Sequence, residues 1–344
     1  MKICLISEDL ASPLDEGLKK FSFSLMKALS KQHHVLGMSK KGLSQGGFQI
    51  EARGMNKLLL NLNLRRTIRK FGPEVICYIP SSSGTFFSFL RARMLRWYWK
   101  KARVILISLQ PRSFSPLAAR WIPRLRPDVV LVQSHRTARA LEQLGVPADV
   151  LPSGVELDRF SPVSQDQKQR LRRRYGVSTD AFVLLHVGHI NDNRGVRLFN
   201  LLQGHQGTQV LLVGSTSTSQ DDRLVRELER AGIRIMRDYI PNIQEVYQLS
   251  DCYLFQVSSQ NAAIELPLSV LEAMACNLPV ITTRYGGLVD LFPEGDGFLF
   301  AESPEEVAQK IALVRAGPPS RTRALVEKCS WERVLETHWQ KYLQ

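Results

Sequence analysis

Short runs of apolar, β-branched residues alternate along the first half of the chain with longer segments in which apolar residues recur every three or four positions. The short runs are typical of buried strands, and the longer segments are typical of amphipathic helices. The predicted strands are 3–6, 75–78, 104–107 and 129–132, and the predicted helices are 18–29, 86–99 and 137–144. This order predicts βαβ units, and therefore a parallel sheet that helices cover on both faces.

The alternation pauses in a polar stretch at 158–179 and then starts again. After the pause, the pattern predicts strands at 182–187, 210–213, 233–236, 253–257 and 280–282, and helices at 268–276 and 304–314. We therefore predict two doubly wound, Rossmann-like α/β domains, 1–160 and 161–329, with a C-terminal helix at 330–344 that completes the first. Ligands of open α/β sheets bind beyond the carboxyl ends of the strands, so two such domains facing each other predict a site in the cleft between them.

Charge is distributed unevenly between the two halves. The formal net charge is +14, and residues 1–160 hold 26 Lys and Arg against 11 Asp and Glu, while the rest holds 20 against 21. This asymmetry predicts an anionic partner for the first domain, and a membrane surface, a nucleic acid or an anionic acceptor would each satisfy it. No recognised nucleic-acid-binding module is present, which argues against nucleic acid as the partner.

The five cysteines are widely spaced and lie mostly in apolar runs, which predicts buried, reduced thiols. No cysteine and histidine cluster suggests a metal site. The chain starts directly with a strand-like run, and no uncharged run is long enough to span a membrane. We expect a cytoplasmic protein that lies peripherally on the inner face of the plasma membrane.

Two glycine-bearing turns follow the first predicted strand of each domain. Gly17 stands where the first helix begins, and a glycine there lets the backbone approach a phosphate beside the helix amides. In the second domain, Gly188 and His189 are followed by Arg194, whose guanidinium can pair with a diphosphate while His189 adds a donor. The alternatives are a plain helix entry at Gly17 and a solvated loop arginine at Arg194.

The segment 264–287 carries the most specific pattern. Pro267 and Pro279 bracket one short helix, and Glu272 falls near its middle. A carboxylate at that point can accept both hydroxyls of a ribose, while the amides near Leu268 and Ser269 face phosphates. The alternative makes Glu272 a solvated helix residue.

These residues resemble glycosyltransferase family 4, the retaining transferases of the GT-B fold. The resemblance also includes the segments 128–134, 151–160, 239–251, 286–287 and 295–299, which match in order and spacing over nearly the whole chain. It implies that Glu272 holds the donor ribose, that Arg194 holds the diphosphate, and that Gly17 lets the first domain approach the phosphates. Gly188, His189, Leu268 and Ser269 complete the predicted donor contacts.

The chain departs from the family at the sugar. The family usually places a glutamate eight residues before the helix glutamate, whereas this sequence has Ile264 there and Glu265 one position later. Either Glu265 is re-aimed or the sugar contact is lost. Gln110 stands where the family often has a histidine, and it can donate a hydrogen bond but cannot act as an acid or base near neutral pH. His189 stands where an arginine is common. We predict Glu265 and Gln110 as the catalytic-site residues.

No D-x-D string occurs, so a divalent cation held by paired aspartates is not expected, and the nucleotide-sugar is a co-substrate rather than a cofactor. The family implies that the departing phosphate removes the acceptor proton on the same face, which reduces the need for a protein base. The resulting hypothesis is transfer of a hexose from a UDP- or GDP-sugar to a lipid-linked, glycolipid or polysaccharide acceptor. The alternative is a weakened sugar-nucleotide-binding or scaffold subunit of the same fold.

The segment 86–103 combines Trp97 and Trp99 with several arginines and lysines, a combination that suits a membrane interface. The alternative is an ordinary helix whose aromatic residues pack on the sheet and whose charges are solvated.

Overall fold

The computed structural model describes residues 1–40, 49–52, 62–217, 220–259 and 261–342. The chain forms two compact units. Unit 1 comprises Met1–Gly154, Ala263–Leu266 and Trp331–Gln344, and unit 2 comprises Val155–Ala262 and Pro267–Ser330. Each unit is built on one parallel sheet with interleaved helices, which confirms the predicted pair of Rossmann-like folds.

The sheet of unit 1 has seven strands in the order β3-β2-β1-β4-β5-β6-β7. Strand β1 pairs in parallel with both neighbours, so that Ile3 lies between Val35 and Val75. The strands are β1 Lys2–Ser7, β2 His34–Ser39, β3 Gln49–Ala52, β4 Val75–Ile79, β5 Arg103–Ile107, β6 Val129–Val132 and β7 Asp149–Val150. The helices are α1 Gly17–Ser30, α2 Leu62–Phe71, α3 Phe86–Tyr98, α4 Pro116–Leu125 and α5 His135–Gln143.

Alternating strand residues give unit 1 a core in which helices α2 to α5 pack together on the sheet. Ile76 and Tyr78 of β4, for example, join one buried cluster with Phe89 of α3 and Ile122 of α4. Polar caps precede α3, α4 and α5, where Thr85, Ser115 and Ser134 each accept a hydrogen bond from a first-turn amide. These caps fix where each helix leaves the end of the preceding strand.

The sheet of unit 2 has six strands in the order β10-β9-β8-β11-β12-β13, again paired in parallel. Its strands are β8 Phe182–Gly188, β9 Thr208–Gly214, β10 Arg234–Met236, β11 Cys252–Phe255, β12 Val280–Thr282 and β13 Phe298–Phe300. Its helices are α6 Gln165–Tyr175, α7 Phe199–Leu202, α8 Asp222–Arg230, α9 Ile243–Leu249, α10 Leu268–Ala275, α11 Leu288–Leu291, α12 Pro304–Ala316 and α13 Thr322–Val326.

The polar stretch 158–179 contains helix α6 rather than a featureless break. Ser164 caps its first turn, and Gly176 ends it in the left-handed conformation with φ +62°. Arg172 is only 3% exposed because its guanidinium donates to Asp251 and to the carbonyl oxygens of Leu249 and Thr179. The helix is therefore attached to unit 2 by hydrogen bonds that an apolar pattern does not encode.

The last described stretch of the chain returns to unit 1. It contains α14 Trp331–Val334, a π-helical turn at Leu335–Trp339 and a 3₁₀ turn at Gln340–Tyr342. Trp331 is buried, its ring lies edge-on to Phe21 with centroids 5.6 Å apart, and it occupies the space beside Gly154. Within the ranges that the structure describes, no helix is both long enough and apolar enough to cross a membrane.

Candidate functional site

The carboxyl edge of the unit 2 sheet, where its strands end, brings together most of the residues predicted for donor binding. Strand β8 ends at Gly188, whose φ of +152° favours glycine. A Cβ atom there would lie 3.8 Å from Nη1 of Arg194, so the arginine passes close to this backbone. His189, the next residue, is half-buried and close enough for its charge to act on His186 of the same strand.

Arg194 is the most unusual charged residue of this edge. It is only 7% exposed, and its guanidinium carbon lies 5.4 Å from the ring centroid of Phe255. Among the described residues, its Nε has no hydrogen-bond partner and no carboxylate forms an ion pair with it. Burial lowers the pKa of Arg194, but a guanidinium stays protonated in proteins, so the site holds a buried positive charge. The alternative of a solvated loop arginine is wrong.

The helix α10 supplies the other predicted contacts. Pro267 precedes it in an extended conformation, and its carbonyl accepts hydrogen bonds from the amides of Val270 at 3.2 Å and Leu271 at 3.4 Å. The amides of Leu268 and Ser269 come before these bonds, in the first turn, where an α-helix leaves its N–H groups without intrahelical partners. Buried Leu268 and half-buried Ser269 thus stand at the positive end of the helix dipole.

Glu272 lies one turn further into α10 and is only 4% exposed, so the alternative of a solvated helix residue is wrong. The hydroxyl of Tyr247 donates to its Oε2 over 3.0 Å. Burial and the neighbouring Glu272 charge raise the pKa of Tyr247 well above its ordinary value, so the phenol keeps the proton that it donates. A buried carboxylate with this donor is oriented before any ligand arrives.

Two tyrosines join the parts of this edge, and neither was predicted as a site residue. The hydroxyl of Tyr253 donates to the carbonyl oxygen of Val187 over 3.2 Å, and the Ser269 side chain lies close enough to act on this hydroxyl. Its ring packs 5.8 Å from that of Tyr247. The end of β8, the first turn of α10 and the Glu272 carboxylate therefore belong to one connected arrangement. In the sequence, Tyr253 could have been noticed as a polar aromatic residue at the start of a buried strand.

His186 lies beneath this arrangement and is fully buried. Its Nδ1 is 3.0 Å from the carbonyl oxygen of Leu254, which can only accept, so Nδ1 carries the proton of the neutral ring. Burial first, and the positive charge of Arg194 second, lower the pKa of His186 to about 4. The ring is therefore neutral near pH 7 and adds no second charge to the site.

The residues predicted in unit 1 also meet at the carboxyl edge of their own sheet. A Cβ atom on Gly17 would lie 3.5 Å from Ile264, which belongs to the same unit. The amide of Glu265 donates to the carbonyl of Leu109 over 2.8 Å, directly before Gln110. Gly17, Gln110 and Glu265 are thus brought together by the short segment Ala263–Leu266.

The carboxylate of Glu265 is turned into unit 1 and is only 3% exposed. The hydroxyls of Ser134, which caps α5, and of Thr137, in its first turn, donate to its Oε1 over 2.6 and 2.8 Å. A negative charge at a helix N-terminus is favourable, so the Glu265 carboxylate also has a structural role at the start of α5. Its catalytic role stays a prediction.

Gln110 is held in a network of loop hydrogen bonds. Its amide donates to Ser83 Oγ over 2.7 Å, and its side-chain Oε1 accepts from Arg112 over 2.9 Å. Ser83 is buried and has φ +61°, an uncommon conformation for a residue other than glycine. These contacts fix the direction of the Gln110 side chain.

An apolar cavity of about 260 Å³ lies beside this loop in unit 1, between α3, α4 and α5. Phe89, Phe114 and Leu141 supply much of its wall, and Arg112 stands at its polar side. Among the described residues, no group of three or more His, Cys, Asp or Glu side chains is placed to hold a metal ion. All five cysteines are free and buried, and burial raises the pKa of each thiol.

Residues 181–315, which contain the whole unit 2 arrangement described above, match the family model of "Glycosyl transferases group 1". The chain carries a group 1 glycosyl transferase domain. This confirms the resemblance to glycosyltransferase family 4 that the Glu272 helix indicated.

Curated relatives of this group 1 domain include a putative teichuronic acid biosynthesis glycosyltransferase, TuaC, of Bacillus subtilis, at 29% identity over 54% of this chain and 46% of the relative. A D-inositol 3-phosphate glycosyltransferase of Geodermatophilus obscurus is 30% identical over 55% of this chain and 45% of the relative. The matched part thus spans under half the length of these curated relatives.

Solved structures share the fold of this chain over its full length. The HepE protein of Anabaena, in complex with UDP-glucose, superposes with a TM-score of 0.79 at 17% identity, covering 100% of this chain and 99% of that one. Sucrose-phosphate synthase of Thermosynechococcus elongatus gives 0.77 at 19% identity, covering 100% and 98%. At these identities the likeness establishes the fold, which is the GT-B type.

Proposed function

We propose that this chain is a retaining glycosyltransferase that moves a hexose from a UDP- or GDP-sugar to a lipid-linked, glycolipid or polysaccharide acceptor. The observation that carries this proposal is the buried Arg194, which has no carboxylate partner among the described residues. A buried charge is costly unless it is paired, so the site is suited to an anion that the ligand brings. A diphosphate is such an anion.

The neighbours of Arg194 fit the remaining parts of a nucleotide-sugar. The first-turn amides of α10 favour phosphate oxygens, and the buried Glu272 carboxylate is oriented to accept hydrogen bonds from a ribose. The UDP-glucose bound by HepE supports uridine as the donor base. Arg194 and these amides would neutralise the departing diphosphate, and we propose that they do so without a divalent cation, since the sequence contains no D-x-D string.

In the proposed reaction, the bond between the anomeric carbon and the diphosphate breaks, and the acceptor oxygen bonds to that carbon on the same face. The acceptor proton passes to the departing phosphate. This route requires no protein base at Gln110, whose amide is suited to hold a sugar hydroxyl. The apolar cavity with Arg112 at its side supports an acceptor that combines an apolar part with an anionic group.

Titration calorimetry with UDP, GDP, ADP and uridine tests the donor site. Arg194→Ala should weaken UDP binding by about tenfold to a hundredfold, the range of a lost charge-assisted hydrogen bond, and should leave uridine binding unchanged. Glu272→Ala should weaken both ligands. Arg197→Ala is the matched control, because Arg197 lies three residues away, is half exposed and pairs with Asp192 and Glu227. Equal UDP affinity of Arg194→Ala and wild type would exclude this site.

A second candidate function is a sugar-nucleotide-binding subunit without turnover. It is favoured by the Glu265 carboxylate, which Ser134 and Thr137 already engage. This candidate would be excluded if the wild type released or transferred sugar from any donor. That activity should then be lost in folded Glu265→Gln but kept in the exposed control Glu142→Gln. Nucleotide binding without sugar release from any donor would favour it.

A further inference from the structure

Helix α3 carries two apolar stripes, whereas an amphipathic surface helix normally has one. Its inner stripe is Phe89, Ala92 and Leu95, all fully buried in the core of unit 1. A second stripe runs along the opposite side at positions i, i+3, i+7 and i+10, and consists of Phe87, Leu90, Met94 and Trp97. Phe87 is 59% exposed and Trp97 is 67% exposed, so this stripe ends in aromatic side chains that face solvent.

The neighbouring helix α4 also exposes large apolar side chains. Leu117 is 72% exposed and Trp121 is 49% exposed, and α4 packs beside α3. In the described part of unit 1, these two residues together with Phe87 and Trp97 make up four of the six large hydrophobic side chains that are exposed. Such clustering marks an interaction surface, because single exposed apolar residues are usually scattered. We call this outer side of α3 and α4 the α3–α4 face.

All the charged residues in the same part of the chain are cationic. The sequence has no acidic residue from 75 to 127 and has ten Lys and Arg residues there. At the amino edge of the sheet, where α3 ends and β5 begins, a cavity of about 920 Å³ has six cationic side chains and one carboxylate in its wall. That carboxylate, Asp128, is already paired with Arg96. The cationic side chains are Arg93, Arg96, Lys100, Lys101, Arg103 and Lys341.

We propose that the α3–α4 face binds the surface of a bilayer that contains anionic phospholipids. Tryptophan is enriched at membrane–water interfaces, and lysine and arginine near them are attracted by anionic headgroups. A nucleic acid would also suit the charge, but it uses aromatic rings to stack bases, and Leu117, the most exposed of the four residues, has no ring to stack. A bilayer surface accommodates aliphatic, aromatic and cationic side chains together.

The position of this face gives it a role that rests on the proposed function. Helix α3 begins after the carboxyl end of β4 and ends before the amino end of β5, so the α3–α4 face spans the sheet from one edge to the other. The basic cavity lies at the amino end, and the apolar cavity near Gln110 lies at the carboxyl end. A bilayer on this face would bring a lipid-borne acceptor close to the edge that holds Gln110 and Glu265.

The test is co-sedimentation of the full chain with vesicles of phosphatidylcholine, alone or mixed with phosphatidylglycerol. The wild type should bind the mixed vesicles and not the neutral ones. The triple variant R93A/K100A/K101A should bind on the order of a hundredfold more weakly, since three charges near the surface are lost. A triple variant of exposed arginines in unit 2, R170A/R226A/R230A, removes the same charge and should bind like the wild type. Trp97→Ala should weaken the binding that persists at high salt, where apolar insertion dominates.

Three outcomes would overturn the proposal. These are equal binding of both triple variants, equal binding of neutral and mixed vesicles, and binding of DNA, RNA or an acidic protein that depends on the same residues without any vesicle binding. Calorimetry with UDP on R93A/K100A/K101A separates this proposal from the donor site. Wild-type UDP affinity in that variant is expected, whatever the vesicles show.

Discussion

Tyr247 donates a 3.0 Å hydrogen bond to Oε2 of Glu272, and both side chains are buried in unit 2. The pair therefore brings a carboxylate into a largely apolar environment with an oriented donor attached. Because hydrogen bonds to charged groups are stronger than neutral ones, this bond is expected to contribute to the stability of the unit as well as to the orientation of Glu272.

We expect Tyr247→Phe to lower the free energy of unfolding by about 1.5–3 kcal/mol, the range for a hydrogen bond to a charged group. Tyr253→Phe removes a buried hydroxyl that donates to the uncharged carbonyl of Val187, and it should cost about 1 kcal/mol. Tyr239→Phe, at an exposed tyrosine, gives the baseline. Urea unfolding of the three variants measures the differences, and equal losses for Tyr247→Phe and Tyr253→Phe would contradict the charged character of the bond.

His186 predicts an acid sensitivity of the unit 2 fold. Burial lowers the pKa of His186 from its ordinary 6.5 to about 4, so the unfolded chain takes up this proton at a higher pH than the folded chain. The contribution of the neutral His186 to the free energy of unfolding is complete above pH 6.5, and it is lost as the pH falls from 6.5 towards 4. The full loss amounts to about 3 kcal/mol.

His186→Phe keeps an aromatic ring next to Tyr253 and Phe255 but cannot titrate. It should flatten the decline in unfolding free energy between pH 6.5 and 4, even though it is less stable at pH 7 because the bond to Leu254 is lost. Denaturant unfolding across this range provides the slopes. The exposed His205→Phe should keep the wild-type slope, and a wild-type slope in His186→Phe would show that other groups cause the acid loss.

Replacing glycine with alanine is expected to affect stability differently at Gly17 and at Gly154. A Cβ atom on Gly17 would meet Ile264 at 3.5 Å, an ordinary contact, so Gly17→Ala should stay within about 1 kcal/mol of the wild-type stability. If the backbone of Gly17 approaches the donor phosphates, the added methyl group should still lower turnover by about a hundredfold, as expected for a small misplacement of substrate. Unchanged turnover would remove Gly17 from the donor site.

A Cβ atom on Gly154 would lie 2.3 Å from the ring of Trp331, which is far inside contact distance. The buried ring also packs on Phe21, so it has little room to move away. We expect Gly154→Ala to destabilise unit 1 by about 1–3 kcal/mol through overpacking. Thermal unfolding beside Gly17→Ala measures this cost, and a stability equal to that of Gly17→Ala would mean that the ring can be displaced freely.

The apolar pattern predicted the sheets because parallel strands are buried on both faces. Strand β6 lies where the sequence places it, at 129–132, and the Glu272 helix starts at Leu268 as Pro267 indicates. Helix α6 was missed because only Leu171 and Arg172 of its residues are buried, and Arg172 is held by hydrogen bonds to Asp251 and backbone carbonyls. Its signals were the Ser164 cap and Gly176.

Site geometry was predictable only in part. The position of Arg194 after Gly188 indicated a cation near the end of β8, but its burial against Phe255 depends on packing from another strand. In the segment 86–103, Trp99 packs on the core, as the ordinary-helix alternative expects, whereas Trp97 faces solvent and the membrane interface stays a prediction. A helix with two apolar stripes cannot be assigned from sequence alone to the core or to an interface.

The Trp331 packing described above also affects the order in which the chain acquires its structure during synthesis. Gly154 and Phe21 leave the ribosome long before Trp331, and all of unit 2 is translated in the interval. Until then, the apolar surface that this indole covers remains exposed on a nascent unit 1. A fragment that stops at Gly154 should therefore aggregate, and adding residues 331–342 as a separate peptide should rescue it if that surface is the cause.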